Sequence, residues 1–268
     1  MNAAHGVRGE AAALVRIGGP LTLTALANMG VSITDVIMIG WLGPLLLGAG
    51  AAISDLYSIF YYLAAGIASG GAAILSSAIG ACNHERLRGM FTEVLIATLA
   101  AGALLAPLVW HGAAVLAWLG IEAEVLPDAA RYAHWLAAMM LPMLVVRACI
   151  AWFSAVGRTT VVFAFTLSAI PLNVVANGVL MFGWFGGPVL GMPGAGAASF
   201  LVALYLAGGL SLAVRRSQVF RRAPSGRPRA RGVVECWSIG VPVGISSWPS
   251  SVCTCSRPSS WSPSAPPR

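Results

Sequence analysis

The sequence predicts an all-α fold: a polytopic membrane bundle of six transmembrane helices with a disordered tail. Three observations predict it. Hydrophobic residues make up 58% of the 268-residue chain and charged residues only 9%. Ordinary soluble domains carry about 25% charged residues, so a chain this apolar cannot cover itself with polar surface and its solvent is a bilayer. Six apolar segments each approach or exceed the about 20 residues that a bilayer core demands. The basic residues fall on alternate connections between those segments.

The first segment runs over roughly 13–40 and the second over roughly 46–70, with an extension towards Gly80. The third covers about 91–119, the fourth 131–154, the fifth 160–183 and the sixth 193–214. Turn residues or charges separate them: GWLGP at 40–44, ACNHERLRG at 81–89, GIEAEVLPD at 120–128, VGRT at 156–159 and GWFGGPVLGMPG at 183–194. The helices are rich in Gly, Ala, Ser and Thr, as in AAGIASGGAAILSSAIGA (64–81), and small residues let backbones approach closely in lipid.

Charge sets the orientation. Arg8 and Arg16, then Arg86 and Arg88, then Arg158, then the run from Arg215 to Arg231 all lie on one side of a six-span chain. The opposite connections hold Glu122, Glu124 and Asp128, with no basic residue before Arg131. The positive-inside rule makes the basic side cytoplasmic, with the N-terminus there and the chain multi-pass in the inner (plasma) membrane. All 16 basic residues are Arg, which reads as compositional bias rather than chemistry. The N-terminus has no cleavage pattern and reads as a retained first helix. The five cysteines form no metal-ligand spacing, and Cys253 and Cys255 are too close to bridge comfortably.

A short echo marks an internal repeat. Ile17-Gly18-Gly19-Pro20 and Ile239-Gly240-Val241-Pro242 both open an apolar run after a basic segment, 222 residues apart. Many transporters are built from such repeats. The expected organisation is therefore 1–232 as a six-helix unit with a basic connector, and 233–268 as the start of a second unit that gives way to a Ser/Pro-rich tail. From about residue 245 that tail cannot span a bilayer and is expected to be disordered. A shift of reading frame, leaving the second unit truncated, is the expected origin.

Ionisable side chains inside a span are costly and mark function. Asp35 lies late in the first span; its plain alternative is a carboxylate reaching the outer interface. Asp55, near the start of the second span, is a candidate for a cavity or for a hydrated outer surface. Glu93, close to Arg86 and Arg88, reads as an interfacial charge. Arg147 is the one arginine in a mid-membrane stretch. In the fifth span Asn173 and Asn177 are four apart and share a face, and Pro171 frees a backbone carbonyl just upstream. These oxygens suit a hard cation such as Na⁺ or a hydrogen-bonded carboxylic acid, or else serve as glue between helices. Pro20, 15 residues before Asp35, is a candidate kink in the first helix.

These residues resemble a known family. VSITDVIMIGWLG (31–43) resembles the first-helix signature of the multidrug and toxic compound extrusion (MATE) transporters, and SSAIGA (76–81) the small-residue ending of their second helix. LPMLVVRACIAWFSAVGRT (141–159) is similar to their fourth helix, and PLNVVANGVLMFGWFGGPVLGMPGAGAAS (171–199) to the stretch joining the fifth and sixth. IGVPVG resembles the entry to the seventh. The resemblance implies one lobe of a two-lobed, twelve-helix antiporter that exports small organic, often cationic, substrates. Its coupling ion is H⁺ or Na⁺, with no other cofactor. It implies a cation site at Asp35, Asn173, Asn177 and Ser199. Where many relatives carry Asp this chain has Asn177, and where they carry Thr it has Ser199, which leaves Asp35 as the sole carboxylate and makes its protonation a self-contained coupling step. A flippase for lipid or polysaccharide is the alternative within this architecture, and a non-transporting membrane fragment the alternative outside it. A flippase needs several cavity cations, and only Arg147 qualifies. No metal cluster, nucleophile–base pair or phosphate loop points to an enzyme. The arginine run lacks the aromatic interleaving of a nucleic-acid surface, so the expected partners are substrate, bilayer and a separate second lobe.

Overall fold

The structure, a computed structural model, describes residues 3–81, 86–118, 120, 123–224 and 228–246. Side chains are described from Gly18 to Gly244 within those segments, Pro20 and Leu21 excepted. The chain forms α1 (Ala3–Gly40), α2 (Pro44–Gly80), α3 (Leu87–Trp110), α4 (Gly112–Trp118), α5 (Leu126–Ala155), α6 (Thr159–Phe182), α7 (Met192–Arg216), α8 (Gln218–Arg222) and α9 (Ala230–Ser246). Six helical segments are long and apolar enough to cross a membrane, among them Pro44–Gly80, so the second span does run to Gly80.

Local chemistry sets the helix ends. α2 starts at Pro44, whose missing N–H is harmless in a first turn, after Gly43 at φ 124, a conformation a side chain would resist. α6 stops at Gly183, a left-handed C-cap at φ 72. The third span is not one helix as expected: the chain turns at His111, four residues after Pro107, and restarts as α4. The buried Gly112 lets this turn lie against Ile53 and Leu56 of α2.

α5 lies at the centre, packed against α2, α3 and α7; α6 packs on α7 and α1. Trp152, Met140 and Leu144 of α5 meet Ile53 and Leu75 of α2 in a fully buried core. The small residues opening α7, Gly194 to Ala198, are all buried. Gly196 sits against Tyr132 and Trp135 of α5, and Gly194 against the backbone of Leu180 in α6. The outer row of α1, including Leu26, Met29 and Ile33, is exposed, as expected of a helix solvated by hydrocarbon. Arg88, Arg215 and Arg221 surround one groove and Arg158 and Arg216 another, so these arginines share one end of the bundle, the basic end.

α9 lies on α2 and α3. Gly66 and Gly70 of α2 meet Gly240 and Gly244 of α9, four apart on each helix. A Cβ on Gly70 would stand 2.9 Å from the Gly240 nitrogen, and one on Gly244 2.8 Å from the Leu63 carbonyl. Glu93, expected as an interfacial charge beside Arg86 and Arg88, does lie beside Arg86 and is only 3% exposed. Its Oε1 accepts the Arg229 backbone N–H at 2.8 Å, one residue before α9 begins, and lies 3.5 Å from the Arg86 guanidinium. A carboxylate at a helix N-terminus satisfies orphan donors and the positive end of the helix dipole. α9 is helical through Ser246, so the backbone remains regular just past the expected start of the tail; residues 247–268, with Cys253 and Cys255, lie outside the described residues.

Gly66→Ala places a methyl group in the α2–α9 backbone contact. It is expected to lower stability by about 1–3 kcal/mol, the usual range for overpacking. Gly208→Ala, with no heavy atom within 4 Å of its Cβ, is expected to be neutral or stabilising. Thermal unfolding of the purified chain in detergent checks the pair; equal effects at both positions contradict the packing.

Candidate functional site

Asp35 sits on α1, five residues before the helix ends at Gly40. It faces α6 and α7 rather than the interface. Asn173 and Asn177 occupy successive turns of α6 and are fully buried. Ser199 lies in the second turn of α7, where the small residues before it let α7 close on α6. Asp35 Oδ1 accepts from Asn177 Nδ2 at 2.6 Å and Asn173 Nδ2 at 3.1 Å, and Oδ2 accepts from Ser199 Oγ at 3.0 Å. Asn177 Nδ2 also lies 3.2 Å from Asn173 Oδ1. The four residues singled out in the sequence are thus one hydrogen-bonded cluster joining three helices.

Two details of the cluster carry chemistry. Three donors converge on one carboxylate, the arrangement that compensates a charge withdrawn from water. The Asn177 Oδ1 atom is buried without a hydrogen-bond partner among the described residues. Such an atom is an acceptor with its hydrogen-bonding capacity unused. Pro171, in contrast, is exposed on the other side of α6 from the two asparagines, so the carbonyl it frees is not part of the cluster. The backbone passes Pro20 within α1; its ring lies outside the described side chains, and with it the expected kink.

Asp35 and Ser199 form part of the wall of a cavity of about 280 Å³ between α1, α2, α5, α6 and α7. The stacked rings of Tyr57 and Tyr61, with centroids 5.4 Å apart, line it from α2. Tyr132 of α5 shares a hydrogen bond of 3.0 Å with Ser54. Arg147 lines the cavity as expected, its guanidinium 5.8 Å from the Tyr61 ring centroid. Asp55 does not: it is exposed, and the helix turns its neighbours Ser54 and Ser58 to the cavity instead. The tyrosines escaped the sequence reading although a signal was present. Tyr132, Leu136, Met139, Met143 and Arg147 recur at spacings of four, three, four and four along α5 and all line the cavity, one helix face.

The MatE family model matches residues 20–179, more than half of the chain and all of the segment that holds Asp35, Asn173 and Asn177. The chain belongs to the MatE family. Among its relatives, the probable multidrug resistance protein NorM of Pseudomonas putida is 28% identical over 239 residues, covering 88% of this chain and 52% of that protein. The NorM of Mesorhizobium japonicum is 28% identical over 217 residues, covering 80% and 46%. The chain therefore spans about half the length of the curated relatives it matches. The crystal structure of the eukaryotic MATE transporter AtDTX14 superposes with a TM-score of 0.82 at 21% identity, over 91% of this chain and 55% of that one. An outward-facing multidrug resistance MATE transporter of the MOP superfamily superposes at 0.77 with 19% identity, over 91% and 54%. At these identities the likeness is one of fold, and it covers about half of each of those chains.

If the cluster is one cooperative unit, its members couple. In a double-mutant cycle on unfolding in detergent, Asp35→Asn and Asn177→Leu are expected to be non-additive by about 0.5–3 kcal/mol. Additive losses contradict the shared hydrogen bond.

Proposed function

We propose that this chain is the proton-coupling lobe of a cation-coupled antiporter that exports small organic, often cationic, compounds across the inner membrane. The observation that carries the reading is the Asp35 cluster. An ionised Asp35 accepts from three donors. Protonation turns one of its oxygens into a donor, which then needs an acceptor. Rotation of the Asn177 amide brings its unpartnered Oδ1 to that role and withdraws Nδ2 from Asp35. The proton is thereby held between α1 and α6, and the grip of α6 on α1 changes with it. With Asn at position 177 the cluster holds one carboxylate, which favours H⁺ over Na⁺ as the coupling ion.

The cavity beside the cluster suits an aromatic cation. Tyr57, Tyr61 and Tyr132 offer ring faces and edges, and Met139 and Met143 adapt to irregular shapes. A cation there competes electrostatically with the proton on Asp35, which is the exchange an antiporter requires. Arg147 is the one basic residue of the lining, too little positive charge for the phosphates of a lipid-linked flippase substrate. The basic end is cytoplasmic by the positive-inside rule. Residues 1–232 form the lobe and its connector, and α9 opens a second lobe that works with the first around a shared cavity.

Tetraphenylphosphonium binding to the purified chain tests this reading. Binding is expected to release protons into weakly buffered detergent solution, and Asp35→Asn to bind the cation with no release. Undiminished release from Asp35→Asn overturns the assignment. Asn177→Asp adds a second carboxylate and is expected to make cation binding sensitive to Na⁺; binding that stays indifferent to Na⁺ counts against a cation site on α6.

A further inference from the structure

We propose that the groove between α3, α5, α7 and α8 at the basic end is a binding site for an anionic phospholipid. It is a cavity of about 740 Å³ on the side of α5 away from the Asp35 cluster, and its lining contains no residue of the substrate cavity. Arg88, Arg215 and Arg221 stand around it. The carboxylates that make ion pairs among the described residues are Glu93 and Asp128, and they pair with Arg86 and Arg131. Among the described residues no carboxylate pairs with Arg88, Arg215 or Arg221, which all line this one groove. Like charges gathered at one mouth repel unless an anion joins them.

The walls say which anion. Below the arginines the groove is lined by Phe91, Leu95, Val145 and Phe220. Leu95 lies seven residues beyond Arg88 on α3, about 10 Å deeper at 1.5 Å per residue. Free phosphate has no use for such walls. A phospholipid matches both parts: its phosphate meets guanidinium donors and its acyl chain covers the apolar floor. α8 forms one side as a packed element. Phe220 stands edge-on to Phe91 and Trp152, with centroids 6.0 and 5.5 Å away, and carries the Arg88 guanidinium 5.0 Å from its ring centroid. The other flank of α7 repeats the pattern, with Arg158 and Arg216 above Phe153, Val161 and Phe165. The inference stands apart from the transport reading and survives its failure.

The experiment uses the purified, delipidated chain in neutral detergent, with dioleoylphosphatidylglycerol, dioleoylphosphatidylcholine or inorganic phosphate added, and counts retained lipid by native mass spectrometry. Phosphatidylglycerol is expected to bind at least about tenfold tighter than phosphatidylcholine. Arg215→Gln with Arg221→Gln, both exposed at helix ends, is expected to remove that preference. Arg222→Gln with Arg231→Gln, the same charge change outside the groove, is expected to keep it. Leu95→Trp, which fills the floor and leaves every arginine in place, is expected to lower phosphatidylglycerol retention about tenfold. A preference unchanged in the groove pair, lost equally in the control pair, or abolished by competing inorganic phosphate overturns the proposal.

Discussion

A carboxylate withdrawn from bulk water must recover hydrogen bonds from the protein around it. That constraint organises this lobe. Asp35 can sit on α1 only because Asn173, Asn177 and Ser199 arrive from α6 and α7 with donors. Those donors arrive only because α7 begins with small residues that let it close on α6 and α5. The buried run Gly194 to Ala198 is therefore as much a part of the site as the polar groups themselves. The same interaction adds to the packing of Ala27, Met38 and Ile39 in joining α1, whose outer face is exposed and apolar, to the bundle.

The same physics appears at the other end of the molecule with a different outcome. Glu93 is the more fully buried of the two by exposed area, and its partners are a backbone N–H at the start of α9 and the Arg86 guanidinium. Both contacts fall on Oε1, and they tie Glu93 to the start of α9 and to the loop before α3. The two carboxylates differ in what surrounds them, not in kind. Asp35 borders a cavity and an orphan acceptor, whereas Glu93 is closed under a helix end. α9 is then fixed at two places, by this cap and by the glycine contact with α2.

Much of this was legible in the sequence because it is local or periodic. Span lengths follow from hydropathy, the gathering of arginines at one end from their alternate placement, and the shared face of Asn173 and Asn177 from their spacing of four. Resemblance to a family brought Ser199 into the same set. Long-range geometry was not legible. Nothing near Glu93 in sequence announces that residue 229 returns to it, and glycines 66, 70, 240 and 244 read as generic small residues until the two helices meet. Asp55 shows the converse: its charge drew notice, but a rotation of about 100° per residue turns it out while Ser54 and Tyr57 face in. The α5 stripe from Tyr132 to Arg147 is periodic and readable, but its one tyrosine and two methionines carry no charge to mark them. The break at His111 depends on Gly112 fitting against α2, a tertiary fact that hydropathy does not carry.

The central claim is that Asp35 exchanges a proton while hydrogen-bonded to Asn177. Infrared difference spectroscopy of the purified chain across pH observes that proton directly, through the carbonyl stretch of a protonated carboxylic acid. The account predicts a band that appears on acidification, vanishes in Asp35→Asn and shifts in Asn177→Leu. A protonated-carboxyl band that persists unchanged in Asp35→Asn, or one indifferent to Asn177→Leu, contradicts it.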